Sequence, residues 1–216
     1  MTDQLRTGVV TVALAAPGDG PDAAALGSLA LGTPVPEERA ATAPLARAID
    51  VHGGQVPLPY GQGRCLVARS GGLVTGMVYL TPPIRWLEDH PAAQRPALVT
   101  ALVEIELLAV AESHRGQGIA TALLNAAEET ARDGGTHLSF AKVRRGDFAV
   151  MRWYRRRGYT IAAQTEPVLF RTRSGLESCD DGSDGYQLAA KPLQPGVVLR
   201  RRASHDSTML IAERDT

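Results

Sequence analysis

The first clear pattern is a β-branched, apolar run from Val9 to Ala15, which predicts an opening strand. Apolar residues then recur at helical spacing over Asp22 to Leu31 and again over Glu37 to Ile49. Asp50 to Gly63 is rich in Gly and Pro and reads as a loop. Arg64 to Arg69 and Leu73 to Thr81 are two strand-like runs joined by Ser70-Gly71-Gly72, a hairpin signal, and Pro82-Pro83 stops the second run. Residues 82–98 read as an irregular insert, followed by a strand from Leu98 to Val110 that carries two carboxylates. That strand runs into His114-Arg115-Gly116-Gln117-Gly118, after which Ile119, Leu123, Ala126, Ala127 and Thr130 keep helical spacing up to Asp133-Gly134-Gly135. Thr136 to Val143 predicts a strand, Phe148 to Arg157 a helix stopped by Gly158, and Tyr159 to Ala163, Val168 to Thr172 and Tyr186 to Ala190 further strands around an acidic loop, Glu177 to Gly185. Residues 194–216 fit either a short hairpin, VVLRR against TMLIA, or a partner-binding tail.

Composition narrows the class. A chain of 216 residues with 44% hydrophobic residues supports one domain over residues 1–216 with a sizeable core. Twenty-three Lys plus Arg balance 23 Asp plus Glu, so no global basic field recruits nucleic acid or an anionic membrane. Lysine occurs only at Lys142 and Lys191, which we attribute to the codon bias that also enriches Ala, Gly and Arg. No apolar run approaches the roughly 20 residues of a membrane span, and Asp3 with a lone Arg6 makes a poor signal-peptide start. Cys65 and Cys179 have no metal-type spacing and are too few for a disulfide framework, so a reducing cytoplasm is the expected compartment. Asp180 to Gly185 lacks the ligand pattern of a helix-loop-helix calcium site and reads as a solvated turn, so no metal is expected.

The chemistry centres on Arg115-Gly116-Gln117-Gly118-Ile119-Ala120. Two glycines let the backbone turn sharply and approach a ligand, and the helix that follows presents unpaired N–H groups with a partial positive charge. The product is an anion cradle suited to a diphosphate. A P-loop would need a Lys in this turn, and a dinucleotide-binding turn would need a third glycine on the first strand of the domain; neither is present.

Leu107-Leu108-Ala109-Val110 followed by His114 to Ala120 resembles the acyl-CoA signature of the GNAT superfamily of N-acyltransferases, with Arg115, Gly118 and Ala120 at its three fixed positions. Asp147 to Tyr159 is similar to that family's later helix, in which an Asn is followed seven positions on by a Tyr and then by Gly and an aromatic residue. The resemblance implies an α/β (α+β) fold, a twisted, mostly antiparallel mixed sheet with flanking helices and splayed central strands. It also implies acetyl-CoA, or another acyl-CoA, as co-substrate and direct transfer to a primary amine. By the same resemblance Leu108, Ala109 and Val110 hold the pantetheine arm, and Arg115, Gly116, Gln117, Gly118, Ile119, Ala120 and Thr121 hold the phosphates. Asp147 stands where an Asn often contacts the cofactor; a carboxylate lacks the amide donor, and a role as helix N-cap competes.

Amine acylation needs a base for the ammonium proton and an acid for the leaving thiolate. The resemblance places Tyr154 as the acid and Glu104 as the base. Strand periodicity sets Glu106 on the face of Glu104, so it is a second candidate, and a structural ion pair is the competing reading for both. The acceptor is expected to meet the insert, where Asp89 would attract a cationic amine and Trp86 would cover an apolar part. A small-molecule amine, a peptide N-terminus and a protein lysine all fit, and a homodimer is the commonest default for such enzymes. The alternative from another class is an acyl-CoA-binding sensor or scaffold without turnover.

Overall fold

In the computed structural model, which describes residues 10–172, 175–179, 185–204 and 207–215, the chain begins with β1 (Thr11–Leu14), α1 (Gly20–Ala30), α2 (Glu37–Ala41), α3 (Pro44–His52) and β2 (Gln55–Leu58). It continues through β3 (Gly61–Ser70), β4 (Leu73–Thr81), α4 (Ile84–Glu88), α5 (Arg95–Leu98), β5 (Leu102–Val110), α6 (Ile119–Asp133), β6 (Leu138–Arg144) and α7 (Phe148–Arg155). Then follow β7 (Thr160–Ile161), β8 (Val168–Thr172), β9 (Gly175–Cys179), β10 (Tyr186–Pro192), β11 (Val197–Ser204) and β12 (Ser207–Arg214). The class is mixed α/β, with mostly antiparallel pairing. Among the described residues no helix is long and apolar enough to cross a membrane.

The chain divides into two compact units. One holds the residues up to Leu58, Gln62–Leu80 and Leu107–Ala127. There β1 pairs antiparallel with β3 (Thr11 opposite Arg69, Leu14 opposite Leu66), and β3 pairs antiparallel with β4. Ala23 and Leu26 of α1, Ile49 of α3, Val67 of β3 and Met77 of β4 make its apolar core. Pro44 starts a new helix because its ring would clash with the preceding turn, so the single helix expected over Glu37 to Ile49 is two.

The other unit holds Pro59–Gly61, Thr81–Glu106 and Glu128–Thr216. The first half of β5 pairs parallel with β6, and the ladder covers Leu102–Leu138, Val103–Ser139 and Glu104–Phe140. β6 pairs antiparallel with β10, and β10 with β7. A second sheet has the order β11-β12-β8-β9, with β12 parallel to β8. Leu102, Leu138, Phe140 and Leu188 from the first sheet and Val168, Phe170 and Leu210 from the second share one core. The C-terminal segment is therefore a hairpin whose Leu210 is fully buried.

Other expectations differ in detail. The expected strand start at Leu98 is the end of α5, and β5 begins at Leu102. The insert is not irregular: α4 and α5 are tied by Arg95, whose guanidinium donates to the carbonyls of Leu87, His90 and Glu88 and to the Tyr60 hydroxyl. β9 occupies the start of the expected acidic loop; the rest of that loop, 180–184, lies outside the described residues.

Candidate acyl-CoA site and acid–base groups

After Val110 the chain makes one 3-10 turn, Glu112–His114, and enters the glycine turn. Gly116 and Gly118 both have positive φ, +78° and +83°, a conformation that side chains other than glycine disfavour. The first helical bond of α6 runs from the Ala122 N–H to the Gly118 carbonyl at 3.0 Å, so α6 starts at Ile119. The N–H groups of Gly116, Gln117, Gly118, Ile119 and Ala120 thus donate to no acceptor among the described residues. A Cβ built on Gly116 or Gly118 would meet nothing within 4 Å, so the space before these donors is open. Arg115 adds an exposed guanidinium, whose Nε donates to the Val110 carbonyl at 3.4 Å.

The cradle is held in place from below. A Cβ on Gly76 of β4 would lie 3.0 Å from Ile119 and Leu123, so glycine there lets the first turn of α6 press against the sheet. Ile119 and Leu123 are both buried, and the Ala111 N–H donates to the Thr75 carbonyl at 2.9 Å. Leu108, Ala109, Val110 and Arg115 through Thr121 therefore belong to one unit.

Glu104, Glu106, Asp147, Tyr154, Trp86 and Asp89 belong to the other. Glu104 is 7% exposed, and Lys142 on β6 donates to its Oε1 at 3.2 Å. Glu106 is exposed, so the two carboxylates do not share an environment. Asp147 caps α7: its Oδ1 accepts from the Val150 N–H at 3.1 Å.

Tyr154 is fixed by the end of α7. Tyr159 N–H donates to the Tyr154 carbonyl and Gly158 N–H to that of Arg155, with Gly158 at φ +83°, a Schellman motif. That motif folds Tyr159 back onto Tyr154, their rings 5.0 Å apart, and Trp153 meets Tyr154 edge-on at 4.9 Å. Tyr154 is 5% exposed and its hydroxyl has no hydrogen-bond partner among the described residues. Burial pushes the phenol above its ordinary range, so it stays protonated. Tyr159 is pushed up as well, by burial first and then by the Glu128 charge; its hydroxyl lies 3.2 Å from the Ser139 hydroxyl.

The remaining reactive side chains are committed elsewhere. Trp86 donates from Nε1 to the Ser178 carbonyl and packs on Phe170 and His90, whereas Asp89 is exposed. Cys65 is fully buried and its thiol is pushed up to about 12 by burial and by the charge of Asp19, which disfavours a nucleophilic thiolate. Cys179 is also buried. Among the described residues no cluster of His, Cys, Asp and Glu could hold a metal ion. Lys142, attributed above to composition, is the side chain that the sequence reading missed. Its place follows from the register, in which Phe140 opposes Glu104 and Lys142 comes one pleat later on the same face, and spacing along the chain carries no signal of it.

A sequence profile described as the acetyltransferase (GNAT) family matches residues 40–159, more than half of the chain. The chain belongs to this family. Solved acetyltransferase structures share its fold. One is yncA from Salmonella typhimurium, solved with its cofactor acetyl-CoA, at 19% identity, covering 91% of this chain and 97% of that one, TM-score 0.55. An N-acetyltransferase from Staphylococcus aureus Mu50 is 14% identical over 86% of this chain and 99% of that one, TM-score 0.54. The ribosomal-protein-S18-alanine N-acetyltransferase from Escherichia coli is 15% identical over 92% and 98%, TM-score 0.51. No curated relative matches the sequence. As a GNAT acyltransferase the protein uses an acyl-CoA as co-substrate. The residues present fit that group, because five N–H groups without an acceptor among the described residues, a helix N-terminus and an arginine suit a diphosphate.

Proposed function

We propose that this GNAT acyltransferase transfers an acetyl group from acetyl-CoA to the primary amine of a small molecule or peptide. The observation that carries the reading is the row of five N–H groups from Gly116 to Ala120 that meet no acceptor among the described residues. Bound acetyl-CoA supplies the acyl thioester. Leu108, Ala109 and Val110 line its arm, and Arg115 through Thr121 hold its phosphates. Glu104 takes the ammonium proton of the acceptor, a task that its burial favours. Glu106, exposed, is the weaker base of the two. Tyr154, kept protonated by burial, gives its proton to the departing thiolate. Asp89 offers the acceptor a negative charge at the surface. A chain with only two cysteines, both buried, suits a cytoplasmic protein.

The test is amine-dependent release of the coenzyme A thiol across a panel of primary amines. Glu104→Gln should lower the rate on the order of 10²-fold while acetyl-CoA affinity is kept. Acetyl-CoA binding with no turnover of any amine would favour the sensor reading instead.

A further inference from the structure

We propose that Tyr159 is a positioning residue for the acid: its ring, tethered at the hydroxyl to a buried charged cluster, sets the orientation of the Tyr154 side chain. This inference rests on the assignment of Tyr154 as the acid, and every residue it uses lies in the unit that holds Tyr154. The Tyr154 hydroxyl has no partner among the described residues, so no hydrogen bond aims it. Backbone bonds fix only where the side chain starts, since the Tyr154 carbonyl accepts from the Arg157 N–H at 2.9 Å and from the Tyr159 N–H at 3.2 Å. The ring is oriented by packing, against Trp153 edge-on and against Tyr159, whose ring lies 5.0 Å away at an interplanar angle of 66°. Trp153 is half-buried and belongs to the same helix, so it moves with Tyr154. Tyr159 is held from elsewhere.

The tether draws on three elements outside α7. Ser139 of β6 places its hydroxyl 3.2 Å from that of Tyr159, which also bonds the Glu128 carboxylate of α6. A carboxylate only accepts, so the phenol donates to Glu128 and Ser139 donates to the phenol oxygen. Glu128 is fixed in turn: Lys191 of β10 donates to both of its oxygens, at 2.9 and 2.7 Å, and Arg132, one turn along α6, donates at 2.8 Å. The Lys191 ammonium also lies 5.4 Å from the centre of the Tyr159 ring. Glu128, Ser139 and Tyr159 are all buried. Phenylalanine at 159 would satisfy packing alone. The hydroxyl and the charges around it carry a desolvation cost that an apolar core avoids, and what the network returns is a single orientation of one ring. Against that ring rests the acid that no hydrogen bond aims.

The test is a double-mutant cycle on thiol release, with the primary amine of the panel that turns over fastest. Tyr159→Phe keeps the ring and removes the tether. It should lower kcat about tenfold, short of the loss on the order of 10² or more expected when the acid itself is removed, and leave the KM for acetyl-CoA within about twofold. In a Tyr154→Phe background, where no acid remains to be aimed, the same change should alter kcat by less than about twofold. A merely structural role predicts equal losses in the two backgrounds, and that result would overturn the proposal while leaving the acid assignment standing. A Tyr159→Phe kcat within about twofold of wild type would overturn it as well. Ser139→Ala, which removes only the donor to the phenol oxygen, supplies the same cycle in place of a Tyr159→Phe protein that does not fold. Its loss of about threefold should vanish in the Tyr154→Phe background, and a loss that persists there, or no loss at all, would overturn the proposal. A Tyr154→Phe kcat within about twofold of wild type, or no thiol release with any amine of the panel, would overturn the acid assignment and the proposal together.

Discussion

Replacing Tyr154 by Phe separates catalysis from folding at a single oxygen atom. The Tyr154 ring is 5% exposed and packs against Tyr159 and Trp153, contacts that Phe retains. Its hydroxyl has no hydrogen-bond partner among the described residues. A buried hydroxyl without a partner costs roughly 1–3 kcal/mol, so Tyr154→Phe should leave stability unchanged or raise it by about 1 kcal/mol. Loss of a positioned general acid lowers the rate by on the order of 10² to 10⁴, about 2.7 to 5.5 kcal/mol of barrier. The two quantities move in opposite directions, which a merely structural role would not produce. Thermal unfolding of the free protein and initial rates of thiol release at saturating acetyl-CoA measure both. In the wild type, burial holds the phenol protonated, so the rate should not decline through loss of this acid until the pH passes the ordinary tyrosine range. A Tyr154→Phe rate within about twofold of wild type would refute the acid assignment. A stability loss above about 2 kcal/mol would show that the hydroxyl is bonded in the folded protein.

Further predictions follow from individual contacts. Arg201 donates to both oxygens of buried Glu166 and holds its carboxyl down at about 2. A depressed carboxylate contributes stability above its unfolded value near 4.5 and loses it as pH falls through about 2, so acid unfolding should show a loss of about 3 kcal/mol across that window that Glu166→Gln lacks. Asp147→Ala should cost about 1 kcal/mol by removing the cap on Val150, with acetyl-CoA affinity kept within about twofold; a loss above about tenfold would place Asp147 in contact with the cofactor. Gly76→Ala should cost roughly 1–3 kcal/mol and weaken acetyl-CoA binding, because its Cβ would lie 3.0 Å from Ile119 and Leu123 at the head of α6; calorimetry reads both effects.

Features with a local physical cause were legible in the sequence. The glycines at 116 and 118 announced a turn that needs positive φ, Asp147 an N-cap, and Gly158 a helix stop, and each stands in that role. The glycine turn and the buried Tyr154 lie in the same short segments. Features resting on distant partners were not legible. Arg95 organises the insert through backbone carbonyls, a contact with no periodic signature. Leu210 buries its side chain because β12 finds β8 in parallel register, which neither strand announces alone. Alternation along β5 predicted a shared face for Glu104 and Glu106, yet Glu104 and Ile105 are both buried and Glu106 is exposed. The pairing of Glu104 with Lys142 depends on the β5–β6 register, which sequence spacing does not reveal.

The central claim is that the turn from Gly116 to Ala120 binds the diphosphate of an acyl-CoA. The direct measurement is thermal unfolding with acetyl-CoA, free coenzyme A and acetyl-pantetheine, which lacks the diphosphate. At a hundred times its dissociation constant a ligand stabilises by about 2.7 kcal/mol, and both coenzyme A species should reach that while acetyl-pantetheine at equal concentration should not. Gly118→Ala, which puts a methyl group into the open space at φ +83°, should weaken the coenzyme A effect by about tenfold in affinity. Equal stabilisation by acetyl-CoA and acetyl-pantetheine, or none by either, would contradict the account.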